Sequence, residues 1–531
     1  LAQSADPMGI DDAFVNPAAN PVQSLTNDEL LTGDWTKGPI GTREASWTIP
    51  GIFILQLSTG SIAESWEIPD EQTIVYHIRK GIRFHDKPPV NGRELTADDV
   101  VYSFKRAMET KAGYWYASYR EPVLSVTARD KWTVVVKSPP GEVDSVILST
   151  ADFQSIVPRE MVEKYGDLRK WEASCGTGPF MLVDSVPASS WAYKKNPNYW
   201  RKDPFNPENT LPYLDGVKFL IIPDLSTRVA ALRTGKVDWL GSLTWEEKQN
   251  LTKTNPELKF DERAFIRSFN IHMRLDKPEF PWRDIRVRRA LAMAIDKQAI
   301  KDKFYGGYAE LLTHPINPSE QYAEYKGAYI PLKDLPQSVQ ELFEYHPDRA
   351  KQLLTEAGYP KGFKAKVICL KEHVDLLSLA KDYWAKIGVD LELQVKEVGV
   401  YRSIMVGRTH EQMIMAEAPN GANFKLLSFR PESYFNWSMV DDSRCNEAWR
   451  KIAPQVVRNW PEVMRILREL IPYALEQAWS IQTPTPYFYT MWQPWVKGYH
   501  GESDVGFGNY PSFLMFVWYD QELKSKMTGR K

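Results

Sequence analysis

The chain has few of the residues that most chemistry requires. Three cysteines occur in 531 residues, Cys175, Cys369 and Cys445. The count is odd and no pair has metal-ligand spacing, so neither a disulfide scaffold nor a zinc site is written here. A Cys369–Cys445 bridge is permitted by the sequence and not deducible from it; buried, idle thiols are the plainer reading. Eight histidines are scattered without compact pairs. HExxH, GxSxG, the phosphate-loop GxxxxGK[ST] and CxxC are all absent, so an enzyme is not expected. Acidic residues are plentiful, and nothing in the sequence selects a glycosidase-like pair of carboxylates. Net charge is close to zero, with 66 basic and 68 acidic side chains. That balance argues against nucleic acid as a partner, because phosphate recognition needs concentrated positive charge. No apolar run approaches the roughly 18 residues that span a bilayer. FLIIP (219–223) and FLMFVWY (513–519) are short enough to be buried strands. No basic leader or apolar h-region opens the sequence, so any signal peptide is expected to have been removed or never present.

What remains is the composition of a soluble globular protein, distinctive in its aromatic count of 19 Trp, 25 Tyr and 22 Phe. Length alone implies two or three lobes. Most of these rings belong in cores, but Trp and Tyr also suit a ligand cleft. The clearest local structure lies at 64–108. Thr73 to Ile78 alternate as a strand. Gly81 and Pro88-Pro89 interrupt. Thr96 is placed as an N-cap, with Asp98 and Asp99 in the first turn of a helix. Val100, Val101, Phe104 and Met108 form its apolar stripe. A hairpin is expected around Arg129-Asp130 and a helix over 158–165. His77 and His85 with Asp86 invite a metal reading. His77 falls inside the strand pattern, and no metal site or cofactor is expected. The Gly176-Thr177-Gly178 pair invites a phosphate-loop reading, but the GK[ST] ending and the following helix are missing. Val287, Ala290, Leu291, Ala294 and Ile295 predict an amphipathic helix. Arg286, Arg288, Arg289 and Lys297 would form its solvated face. Pro347 opens a helix that Gly358 and Pro360 close.

The ordered string Trp66, Thr73, Arg79-Lys80-Gly81, Phe84-His85-Asp86, Thr96-Ala97, Asp99-Val100, Tyr102-Ser103 and Arg106 resembles the signature of extracytoplasmic solute-binding proteins of ABC importers, of the peptide, nickel and oligosaccharide type. Lys87 stands where that pattern has Gly. The resemblance continues through Gly176 to Phe180, Asn196 to Trp200, Asn270 with Asp284 to Asp296, and Asp348 to Tyr359, covering about 61–498. It implies an α/β, periplasmic-binding-protein-like fold of two lobes with mixed sheets, a ligand cleft between them and an extra subdomain on the first lobe. The implied segments are 1–46, 175–265 and 495–531 for lobe I, 47–174 for the extra subdomain and 266–494 for lobe II. Crossings are expected near 263–270 and 487–495. The position of His85 is structural across members of the family with different ligands, and a structural role is implied for it here.

The implied function is capture of a small solute by hinge closure and its delivery to an ABC permease, outside the cytoplasm, by a monomer. A short peptide or peptide-like amine is the first ligand class and an oligosaccharide the second. In peptide-binding relatives a carboxylate on the second lobe pairs with the ligand amine. The resemblance places Glu417 there, within a segment that also holds Asn420 and Asn423; its alternative is a strand end facing solvent. Ile414 and Glu411 depart from the family pattern around it. Trp115 and Tyr116, in the run YWYASY, are implied to face the ligand or to stack on a sugar. Asn436 and Trp437, in SYFNW, form a third candidate group.

Overall fold

The computed structural model of this chain describes all residues except 8–9, 15–21, 49–53, 112–122, 124, 141, 153, 266–267, 320, 419–425, 434, 507–509 and 530–531. Two compact units are present, Leu1–Glu262 with Tyr489–Lys531, and Arg263–Phe488. The chain therefore passes between them at Glu262/Arg263 and at Phe488/Tyr489.

The first unit contains two four-stranded sheets. One orders Ala2–Gln3, Gly216–Ile221, Ser190–Lys195 and Phe180–Val186. The other is antiparallel and orders Ala63–Asp70, Thr73–Ile78, Thr133–Lys137 and Ser125–Asp130. Thr73–Ile78 is central in it. Ile74, Val75, Tyr76 and Ile78 are all buried there, as a strand covered on both faces demands. Asp130 accepts from the Trp132 amide at 2.8 Å, so the hairpin turns at Lys131-Trp132, just past its expected centre.

The signature segment proves to be a web of structural contacts. The Ala97–Glu109 helix starts where Asp99 Oδ2 accepts from the Thr96 amide at 2.9 Å. That bond satisfies a donor the helix cannot. Arg93 grips Asp99 through two bonds of 2.9 and 2.6 Å and reaches Glu160 as well. Ser103 Oγ donates to the Asp99 carbonyl at 2.8 Å and accepts from the Val157 amide at 2.9 Å. Buried His85 accepts from the Gly176 amide through Nδ1 at 3.3 Å. Its Nε2–H therefore donates to the Gly178 carbonyl at 3.1 Å. Burial holds His85 near pKa 4, so it is neutral. Gly176 and Gly178 are needed for close approach: a Cβ on either would lie 2.2 Å from Thr26 O or 2.5 Å from Thr26 C. Between them Thr177 donates to buried Asp28, which also accepts from Tyr199 and Trp200. The glycine pair thus packs the loop against residues 26–28 and leaves the phosphate reading without support.

The second unit is built on a five-stranded sheet. Its order is Asp390–Val395, Lys364–Cys369, Met413–Glu417, Phe269–Met273 and Ser480–Gln482. The first three strands run parallel, and Phe269–Met273 opposes its two neighbours. Ile285–Met293 forms the expected amphipathic helix, with Asp284 capping it through the Arg286 amide. Its arginine face is a correction. Arg286 is exposed, but Arg288 and Lys297 are buried. Arg288 donates to the carbonyls of Gln477, Trp282 and Arg283 at 2.7, 3.0 and 2.9 Å. Lys297 Nζ donates to Ala292 and Leu342 carbonyls, each at 2.6 Å. Both cations satisfy main-chain acceptors at or just past helix ends, where carbonyls run short of helical donors.

A second correction concerns 513–519. Ser512–Met515 is a 3-10 turn, and only Trp518–Tyr519 is a strand. Phe513 to Val517 are buried all the same. All three cysteines are buried free thiols. Among the described residues no helix is long and apolar enough to cross a membrane, and no cluster of His, Cys, Asp and Glu could hold a metal ion.

Candidate ligand-binding site

The parallel strands of the second unit bring Cys369, Val395 and Glu417 to one edge of its sheet, at their carboxyl ends. Ligand crevices of α/β sheets form outside that edge, where connections part to opposite faces. Glu417 ends the Met413–Glu417 strand and is half-buried. The four residues before it are fully buried. Interior strand chemistry therefore gives way to an acidic side chain at the last residue of the strand. Directly opposite, on the neighbouring strand, stands Phe269.

His373 joins these from a separate segment. It precedes the Val374–Ala385 helix, and its Nδ1 accepts from the Leu370 amide at 3.3 Å. The proton of the neutral ring is thereby placed on Nε2. Its ring centre lies 5.0 Å from Phe269 and 6.2 Å from Tyr401. Burial lowers the His373 pKa, against the opposing pull of Glu372 and Glu417. Tyr401, on the Val398–Gly407 helix, donates to the Met415 carbonyl at 2.6 Å. Its own ionisation is pushed out of reach by burial first and by the negative charge of Glu417 second. A carboxylate, a neutral imidazole and two rings thus share one edge. Such a corner can hold a cationic head against an apolar wall.

The other candidates divide. Trp115, Tyr116, Asn420 and Asn423 lie outside the described residues. Asn436 is fully buried, and its amide is committed within the unit. Nδ2 donates to the Arg430 and Val440 carbonyls at 3.1 and 2.7 Å, and Oδ1 accepts from the Val440 amide at 2.9 Å. Trp437 is buried too, with its indole N–H on the Met405 carbonyl at 3.1 Å and its ring 5.2 Å from His272. These two organise the 430–440 turn and pack the sheet. His373, Phe269 and Tyr401 carry no motif of their own. Glu372-His373 ahead of an apolar helix was the one signal available for them.

Comparison with known proteins gives the family. The profile of bacterial extracellular solute-binding proteins, family 5 (middle region), matches residues 59–423. Heme-binding protein A of Haemophilus influenzae is 29% identical over 368 residues, spanning 64% of this chain and 62% of that protein. Di/tripeptide-binding protein 1 of Pseudomonas aeruginosa is 26% identical over 487 residues, spanning 83% and 82%. Among solved structures, the periplasmic binding protein DppA of Helicobacter pylori, in complex with the peptide STSA, superposes with a TM-score of 0.71. It is 23% identical, with 98% of this chain and 97% of that one covered.

Proposed function

This chain belongs to the bacterial extracellular solute-binding proteins of family 5, and on that premise we propose that it captures a short peptide, or a peptide-like amine, and delivers it to the permease of an ABC importer. Glu417 carries the reading. It is a half-buried carboxylate at the carboxyl edge of the second unit's sheet, beside a neutral imidazole and aromatic rings. A ligand ammonium there gains a charge-assisted hydrogen bond in a site that water screens poorly. The names of the di/tripeptide-binding relative and of the peptide-bound neighbour support the same ligand class. Capture proceeds by hinge closure: ligand contacts that exist only in the closed state shift the population toward it. An extracytoplasmic location follows from the family.

Glu417→Gln keeps the shape of the side chain and removes its charge. It is expected to weaken binding of a dipeptide such as Ala-Ala at least about tenfold, the effect of a lost charged hydrogen bond of about 1.5–3 kcal/mol. Isothermal titration reads this directly. The N-acetylated dipeptide should lose affinity for the wild-type protein to a similar degree and be indifferent to the substitution. Unchanged Ala-Ala affinity in Glu417→Gln would overturn the amine anchor.

A further inference from the structure

The first unit carries a concavity that shares no residue with Glu417 and its neighbours. It has a volume of about 570 Å³, within the usual size range of small-molecule sites. Trp35 and Phe516 form its floor, stacked with centroids 4.1 Å apart and planes 2° from parallel. Phe205 and Trp518 stand on its rim, 43% and 48% exposed. Exposed rings of that size are costly to leave in water.

The polar groups at this site are specific in kind. Asp203 also lines it, but its carboxylate is spent on its own loop. Oδ1 accepts from the Phe205 and Asn206 amides at 2.8 and 3.3 Å. Oδ2 accepts from the Tyr213 hydroxyl at 2.5 Å and from Asn206 Nδ2 at 3.3 Å. Asn209 Nδ2 is likewise engaged, with the Tyr213 hydroxyl at 3.2 Å. Both exposed amides therefore turn their nitrogens inward and keep their carbonyl oxygens for an outside donor. Among the described residues that line it there is no Lys, Arg or His, so a phosphate or carboxylate would find no counter-charge among them. An isolated cation would satisfy one amide at most and would meet no free carboxylate. A pyranose suits the site better. Its flat C–H face packs on an aromatic ring, and its hydroxyls supply several donors around the edge.

We propose that this pocket of the first unit, between Phe205 and Trp518 with Asn206 and Asn209 as acceptors, binds a neutral oligosaccharide. The proposal is independent of the amine site. Isothermal titration and saturation-transfer NMR of the full chain with cellotetraose and with chitotetraose test it, with choline chloride as the cationic control. One tetrasaccharide or both should bind, and Trp518→Ala or Phe205→Ala should each weaken that binding at least about tenfold. Both rings are half-exposed, so the variants should keep the wild-type Tm. Ala-Ala affinity should be the same in both variants as in the wild type. Failure of both sugars to bind would overturn the proposal. So would sugar binding untouched by both substitutions, or choline binding that both substitutions abolish while the sugars fail.

Discussion

Arg106→Met should cost the first unit about 3–5 kcal/mol at neutral pH, the usual consequence of removing one partner of a buried ion pair. Arg106 closes the signature segment, and its guanidinium meets Asp11 in a two-pronged contact of 2.8 and 2.5 Å. Asp11 has no exposed side-chain surface. Its carboxylate also receives the Ala13 and Leu168 amides at 3.2 and 2.9 Å. Asp12 is next to it and equally buried. Burial first, and the charge of Asp11 second, push Asp12 up to about 6, while Arg106 pulls it down. Without Arg106 two adjacent carboxylates would share an interior in which, among the described residues, only the exposed Arg169 still acts on Asp11. The variant therefore has a pH signature. A carboxyl with a raised folded-state pKa binds its proton more tightly when folded, so its contribution to stability grows as pH falls and is lost as pH rises through the folded value. The deficit of Arg106→Met relative to wild type should narrow between pH 7.5 and pH 5. Urea unfolding at the two values measures it. A deficit below about 1 kcal/mol, or one that does not change with pH, would show that Arg106 is not the counter-charge of this pair.

Acidification should have the opposite effect on the second unit. His272 and His410 are both buried. Burial, with Arg274 nearby, lowers His410 to about 4, and burial with His314 and His410 nearby lowers His272 well below the usual range. A histidine with a depressed folded-state pKa contributes stability above its unfolded value of about 6.5. That contribution is lost as pH falls toward the folded value. For His410 the loss from pH 7.5 to pH 5 is about 2 kcal/mol. Hydrogen exchange, corrected for its intrinsic pH dependence, should show the amides of Phe269–Met273 and Met413–Glu417 losing protection over this range. His410→Gln cannot take up the proton, so its loss should be smaller by about 2 kcal/mol. The comparison is one of slopes, so any change the substitution makes at pH 7.5 does not enter. Equal slopes in the two proteins would remove His410 from the account.

The two units differ in how far their sequences announced them. Local rules were sufficient for the Thr73–Ile78 strand, the Thr96 cap and the Pro347 helix start, because each depends on neighbours a few residues away. They failed for Arg288 and Lys297. Helical spacing puts both on the polar face, but the acceptors that draw them inward include Gln477 and Leu342, distant in the chain. The 513–519 run misled for a related reason. A short apolar run shows that it is buried and not whether it is strand or turn, and here Phe516 is claimed by Trp35. The role proposed for Glu417 rests, at the level of sequence, on resemblance alone. Nothing in MIMAE separates a ligand-facing carboxylate from a solvated strand end. The corner beside Glu417 takes Phe269, His373 and Tyr401 from three segments, which no local pattern joins. Asn436 and Trp437 show the converse: a polar–aromatic group resembles a binding site in sequence and is consumed by its own turn in the fold.

The most direct test of the account is native mass spectrometry of the purified protein before and after denaturation and refolding, followed by titration of the refolded protein with di- and tripeptides. The account predicts a discrete excess mass of peptide size that refolding removes, and one peptide bound per chain when peptide is restored. A refolded protein that binds none of the peptides, or a released ligand without a free amine, would contradict it.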